Sequence, residues 1–268
     1  MKKPLFVDGE AWFGNDTPDD KKLILIVSGK NDRFGSQYSA QMSAFALARY
    51  NNCIYRFTRF RGDKHSEFAS DFCGLKSDDD DDISREPEIK YSRHCDKAQG
   101  NDVDKYFNEN VINELREKYY STWKPEPIKC DIAIHIRRGD VGCIDVRGRT
   151  NSDGTPYRHW KQRYDDNLFY VKTINFLRNV YGSDKQIVIF SQGRRGDFQE
   201  ILDLKDNNLD FCLEGDWRIA HLSLVKAPIM VCSISEFAWT AGLLSEGIVY
   251  RNERMFRKPL QAWKKLEI

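Results

Sequence analysis

Residues 132–140 read Ile-Ala-Ile-His-Ile-Arg-Arg-Gly-Asp, from Ile132 to Asp140. An apolar run that stops at two arginines, a glycine and an aspartate predicts a buried strand ending in a turn. Side chains alternate across a strand, so His135 and Arg137 fall on one face. A guanidinium at a strand end needs an anionic partner. The planar fork of Arg137 or Arg138 suits the paired oxygens of a diphosphate. A salt bridge from either arginine to Asp140 would satisfy the charge equally well, and spacing alone does not separate the two.

Downstream of this stretch, apolar runs alternate with helical spacings. Strands are predicted at 187–190, 228–231 and 248–250. Helices are traced by Tyr170, Ile174, Leu177 and Tyr181, by Phe198, Ile201 and Leu202, by Ile219, Leu222 and Val225, and over 237–244. Upstream, 22–28 reads as a strand, 29–37 as a glycine loop, 37–50 as an Ala-rich helix and 53–58 as the next strand. Phe107, Val111, Leu115 and Tyr119 mark one more helix. Strands alternating with helices predict an α/β fold with parallel sheets covered on both faces. Pro125 and Pro127 punctuate a linker, giving an N-terminal α/β domain over 1–127 and a C-terminal one over 128–268.

In such sheets ligands bind beyond the carboxyl ends of the strands. Four segments lie there. One is the glycine loop around Arg33 and Gly35, where backbone can approach a ligand at a helix N-terminus. The second is His135 to Asp140. The third is Ser191 and Gln192, small polar residues that could read a base or a sugar or simply make a turn. The fourth runs from Ser233 through Ser235 to Phe237, with Ser235 placed to cap a helix. The histidines show no metal spacing, and His221 reads as a packing residue.

Charge narrows the classes of partner. The 268 residues carry 42 Lys+Arg and 41 Asp+Glu, a net of +1, which argues against a nucleic-acid partner. That neutrality is a cancellation. Residues 71–104 hold eleven acids and five bases, net −6, whereas 135–163 is net +4 and 251–265 net +5. The acidic stretch, with five consecutive aspartates at 78–82, is predicted to be a solvated loop, with metal binding by those aspartates as the alternative. No run of 18 apolar residues is present, so no membrane span is expected. Seven dispersed cysteines without a Cys-x-x-Cys pair and an N-terminus lacking an apolar signal predict reduced thiols and a cytoplasmic protein. A lumenal protein relieved of a targeting segment is the alternative.

Taken together, these segments carry a resemblance. IAIHIRRGD resembles the His-x-Arg-Arg-x-Asp motif of the α1,2/α1,6- and protein O-fucosyltransferase superfamily. Arg33–Gln37 (RFGSQ) resembles that superfamily's RFGNQ loop, with Ser36 in place of Asn. Ile189–Gly193 (IFSQG) is similar to its second strand-end motif, with Gln192 where acids are common. His221–Trp239 resembles its third motif, with Glu236 and Ala238 where Ser or Trp is common. The four occur in order and span about 22–250.

The resemblance implies two Rossmann-like domains of the GT-B glycosyltransferase type and an inverting, metal-independent transfer of fucose from GDP-fucose to a glycan or glycoprotein acceptor. It places the acceptor side in the N-terminal domain. It assigns Arg137 to the donor diphosphate and His135 and Arg138 to shaping that site. Asp140 is given to orienting the arginines or contacting the nucleotide, and Asp145 is a candidate base alongside Asp140. Gly35 and Arg33 approach the donor. Ser191 and Gln192 read the nucleotide, and Ser233, Ser235 and Phe237 line its pocket. Given the departures, another UDP- or GDP-linked pentose or deoxyhexose is the alternative donor. A non-catalytic nucleotide- or glycan-binding protein is the alternative of another class.

Overall fold

Strands buried on both faces must be apolar throughout, and the C-terminal sheet is built on such strands. The computed structural model describes residues 5–7, 10–12, 24–27, 32–52, 54–61, 66–78, 88–91, 103–139, 141, 161–255 and 257–268. Contacts divide the chain into two compact units, Met1–Lys124 and Pro125–Ile268.

In the first unit, β1 (Leu5–Val7) and β2 (Glu10–Trp12) form an antiparallel hairpin. A three-stranded parallel sheet has β3 (Ile24–Val27) at its centre, flanked by β4 (Ile54–Arg56) and β5 (Glu88–Tyr91). Helix α1 (Phe34–Tyr50) connects β3 to β4 and packs on both. It is buried almost all round, through Tyr38, Ala40, Met42, Ala44, Phe45, Leu47 and Ala48 and also through Gln37, Ser39, Gln41 and Ser43, which marks a helix enclosed by its domain. Helices α2 (Ser66–Cys73), α3 (Val103–Tyr106) and α4 (Glu109–Tyr120) complete the layer. Val111, Leu115 and Tyr119 form the buried stripe of α4, and the Asn108 side chain caps its first turn by accepting from Val111 N–H at 3.1 Å.

The expectation of a solvated acidic loop over 71–104 is corrected here. Helix α2 runs to Cys73, β5 pairs in register with β3, and α3 begins at Val103. Asp78 is part of the packing: Arg49 donates to it from both terminal nitrogens at 2.7 and 2.8 Å, and Tyr55 N–H donates at 2.8 Å. Glu114 grips the same guanidinium at 2.7 and 2.8 Å. A charge average taken over 34 residues hid both the strand and this pair. Asp79 to Asp82 lie outside the described residues.

The second unit holds a six-stranded, wholly parallel sheet. The chain enters at its centre as β6 (Ile132–His135), then steps outward through α5 (Asn167–Tyr181), β7 (Ile187–Ser191), the short α6 (Gln199–Leu202) and β8 (Leu209–Leu213). It then returns past β6. Helix α7 (Trp217–Lys226) leads to β9 (Ile229–Val231), which pairs with the other edge of β6. After it come α8 (Glu236–Leu244), β10 (Ile248–Arg251) and β11 (Lys264–Lys265). The resulting order, β11-β10-β9-β6-β7-β8, reverses direction between β6 and β9. This is the doubly wound order of strands, and in sheets of this kind ligands bind at such a reversal.

Alternation along the strands assigns the two faces. Ile132, Ile134, Ile136, Ile187, Ile189, Val231 and Tyr250 pack with Tyr170, Ile174 and Leu177 of α5 and with Phe198 and Ile201. His135, on the opposite face of β6, meets Phe237 of α8. Among the described residues, no helix is long and apolar enough to cross a membrane.

Candidate functional site

At the reversal point, β6 and β9 deliver two polar residues to one spot. His135 Nδ1 lies 2.6 Å from Ser233 Oγ, across 98 residues of sequence. Both are buried. The imidazole leans on Phe237, ring centroids 5.3 Å apart. Burial, reinforced by the positive charge of Arg137, pushes the His135 pKa down to about 3. The ring is therefore neutral at physiological pH, and the positive charge at this spot belongs to the guanidinium.

Helix α8 starts immediately beyond. Ser235 caps it, its hydroxyl accepting from Phe237 N–H at 3.2 Å, and Ser235 N–H donates to the Ser233 carbonyl at 2.8 Å. Phe237 is held from its far side by His221, ring centroids 5.1 Å apart and edge-on. Thr240 donates its hydroxyl to the Phe237 carbonyl at 3.0 Å, so His221 Nε2, 3.2 Å from that hydroxyl, is the donor to it. His221 is fully buried and belongs to the packing behind the site.

The two arginines part company. Arg137 is half-buried, and its charge acts on His135. Arg138 follows Ile136 to the other face, where it is 7% exposed. There its guanidinium stacks 4.3 Å from the Tyr164 ring centroid, and donates to Asn167 Oδ1 at 2.8 Å and to the Arg137 carbonyl at 3.0 Å. Arg138 thus lies against Tyr164 and Tyr170, whereas Arg137 acts on His135.

Ser191 and Gln192 are likewise used to join strand ends. The Ser191 hydroxyl donates to the Ile136 carbonyl at 2.9 Å. Gly139 has φ +80°, and a Cβ there would lie 2.4 Å from Gln192 Oε1, so the Gln192 side chain covers the turn after β6. Glu214, which the sequence reading passed over, stands at the end of β8 and accepts from Gly193 N–H at 2.6 Å. Its signal was hidden with its strand, because Asp210 interrupts the apolar run of Leu209–Leu213. Asp140 and Asp145 lie outside the described residues.

Arg33 and Gly35 belong to the first unit. Arg33 precedes α1, and its carbonyl takes the N–H groups of Ser36 and Gln37 at 3.1 and 3.2 Å. Gly35 is buried in the first turn. Gln37 fixes the loop, donating to the Asp32 carbonyl and, at 2.9 Å, to the Arg61 carbonyl, while accepting from Arg61 N–H at 2.8 Å. Among the described residues, no three His, Cys, Asp or Glu side chains gather as a metal site.

The carboxyl edge of the second unit thus offers the half-buried Arg137, whose charge acts on His135, a neutral imidazole–hydroxyl pair next to the start of α8, and a carboxylate two strands away. Comparison with protein-family models finds no match, and comparison with curated proteins finds none either.

Proposed function

We propose that the second unit binds a nucleoside diphosphate sugar and that the chain is an inverting glycosyltransferase, with GDP-fucose the favoured donor and a glycan or glycoprotein hydroxyl the acceptor. The observation that carries this reading is Arg137 beside the His135–Ser233 pair at the reversal between β6 and β9. Ligands of doubly wound sheets bind at such a point. Glu214 favours guanine, because the base's ring N–H and amino group make a donor pair that a carboxylate can accept, whereas uracil has one ring N–H. A UDP-linked pentose or deoxyhexose is the alternative donor. The GT-B arrangement, with the first unit as the acceptor side, belongs to the same proposal.

In this mechanism the acceptor oxygen attacks the anomeric carbon opposite the nucleotide. The new glycosidic bond forms as the bond to the diphosphate breaks, and the leaving group takes the electron pair. Arg137 and the start of α8 stabilise the charge that develops on it. A carboxylate takes the acceptor's proton, with Asp145 and Asp140 as the candidates.

The test is titration with GDP and UDP, followed by turnover of the matching sugar nucleotides with and without EDTA. GDP should raise the melting temperature, turnover should survive EDTA, and Arg137→Ala should lower turnover by about 10²-fold or more. Near-normal activity of Arg137→Ala, or stabilisation by neither nucleotide, would overturn the proposal.

A further inference from the structure

We propose that Asn167 is a positioning residue for Arg137, acting through Arg138. The inference rests on the reading of Arg137 as the diphosphate ligand. Asn167 is the first residue of α5, follows its cap Asp166, and is 8% exposed. Its Oδ1 accepts from Arg138 at 2.8 Å. Its Nδ2 donates to the Asp197 carbonyl at 2.8 Å and to Glu200 Oε2 at 2.7 Å. Arg138 in turn donates to the Arg137 carbonyl at 3.0 Å. One amide therefore links the segment after β7 to the backbone of the residue that faces the ligand.

The chemistry of this position is restrictive. Arginine only donates, while a carbonyl and a carboxylate only accept. The residue between them must offer an acceptor on one side and two donors on the other, which also fixes which way the amide points. Aspartate would keep the acceptor toward Arg138 and face Glu200 with a second negative charge. An apolar residue would leave a buried guanidinium short of a partner. The Arg138 side chain has little freedom of its own, stacked 4.3 Å from Tyr164. Movement at Asn167 is therefore passed to the Arg137 carbonyl, and with it to the direction in which Arg137 leaves the backbone.

The test measures GDP affinity by titration calorimetry on folded full-length protein, well below the melting temperature. Asn167→Ala should bind GDP about ten- to a hundredfold more weakly, the scale of one hydrogen bond to a charged group. Asn167→Asp should also weaken binding. Adding Glu200→Gln to it should restore most of the loss, because the new amide donates to the new carboxylate and removes the repulsion. Ile174→Val, which thins the core under the same helix, should lower the melting temperature and leave GDP affinity unchanged.

Wild-type affinity in a folded Asn167→Ala refutes the positioning role. If that variant does not fold, no recovery from Asn167→Asp to Asn167→Asp/Glu200→Gln refutes it instead. A wild-type protein that binds neither GDP nor UDP refutes the underlying reading of Arg137, a result separate from either of these.

Discussion

His135→Gln removes an imidazole whose burial has a readable cost in acid. In the folded chain His135 titrates at about 3, against 6.5 for the free side chain. Above pH 6.5 neither state holds the proton, so the full stability is present. As pH falls through 6.5 toward 3, the unfolded chain takes up a proton that the folded chain refuses, and stability is lost. At about 1.4 kcal/mol per pH unit, moving from pH 8 to pH 5 costs about 2 kcal/mol from this group alone. Glutamine does not titrate, yet retains an amide that can bond Ser233. The variant should start less stable at pH 8 and then lose about 2 kcal/mol less than wild type on reaching pH 5. Urea unfolding followed by tryptophan fluorescence measures both, with Trp217 and Trp239 reporting from the same unit. Other titrating groups cancel in the comparison, because they are common to both proteins. Parallel pH profiles would refute a neutral, buried His135.

Two further substitutions test the packing around the sheets. A Cβ on Gly247 would lie 2.5 Å from the Pro228 carbonyl oxygen and 2.6 Å from that of Ala227, both backbone atoms. Gly247→Ala should therefore cost about 1–3 kcal/mol in thermal unfolding, and an unchanged melting temperature would contradict that close approach. Arg49→Met strips Asp78 and Glu114 of their shared partner. Because these side chains are about a quarter to a third exposed, the loss at pH 7 should be about 1–2 kcal/mol. Burial alone would raise the Asp78 pKa, but the bonds from Arg49 and Tyr55 N–H outweigh it and hold the carboxyl below 3.8. The stability from that pair is lost as pH falls through the lowered value, so the gap between variant and wild type should narrow below pH 3.8. A gap that stays constant into acid would rule out the ion pair as its source.

The strands that sequence reading missed have a common position. β5, β8 and β11 are all sheet edges, as the orders β4-β3-β5 and β11-β10-β9-β6-β7-β8 require. An edge strand tolerates charge, so Glu88-Ile-Lys-Tyr91, Leu209-Asp-Phe-Cys-Leu213 and Lys264-Lys265 carry no uninterrupted apolar run. β6, β7 and β9 are flanked on both sides and covered on both faces, and their apolar runs were plain in the sequence. β4 is an edge that could be read, because Ile54 and Tyr55 supply the apolar signal. The hairpin of β1 and β2, three residues per strand, is too short for any period to show. The longer helices read well for a related reason, whereas α2 and α3, of eight and four residues, did not. Stripes such as Val111, Leu115 and Tyr119 face a core directly, and burial enforces their spacing.

The site shows where local pattern stops being informative. Neighbouring residues at a strand end look like a matched pair, and Arg137-Arg138 invites the idea of two guanidiniums on one diphosphate. The contacts forbid it: Ile136 packs in the core on the α5 side and Arg138 stacks there on Tyr164, whereas the charge of Arg137 acts on His135, whose ring meets Phe237 of α8. That much was implicit in the alternation already used to pair His135 with Arg137. What could not be read was the partner each face would supply, because Ser233 and Asn167 lie 98 and 29 residues away from His135 and Arg138 respectively. Loss of either arginine would disturb the same edge, by different physical routes. Arg138 acts through a buried stack and the backbone it holds in place, and Arg137 through the charge it presents. A diphosphate at this edge would be met by Arg137 and the start of a helix, and its hold depends on the path of a single carbonyl, the one that Arg138 fixes at Arg137.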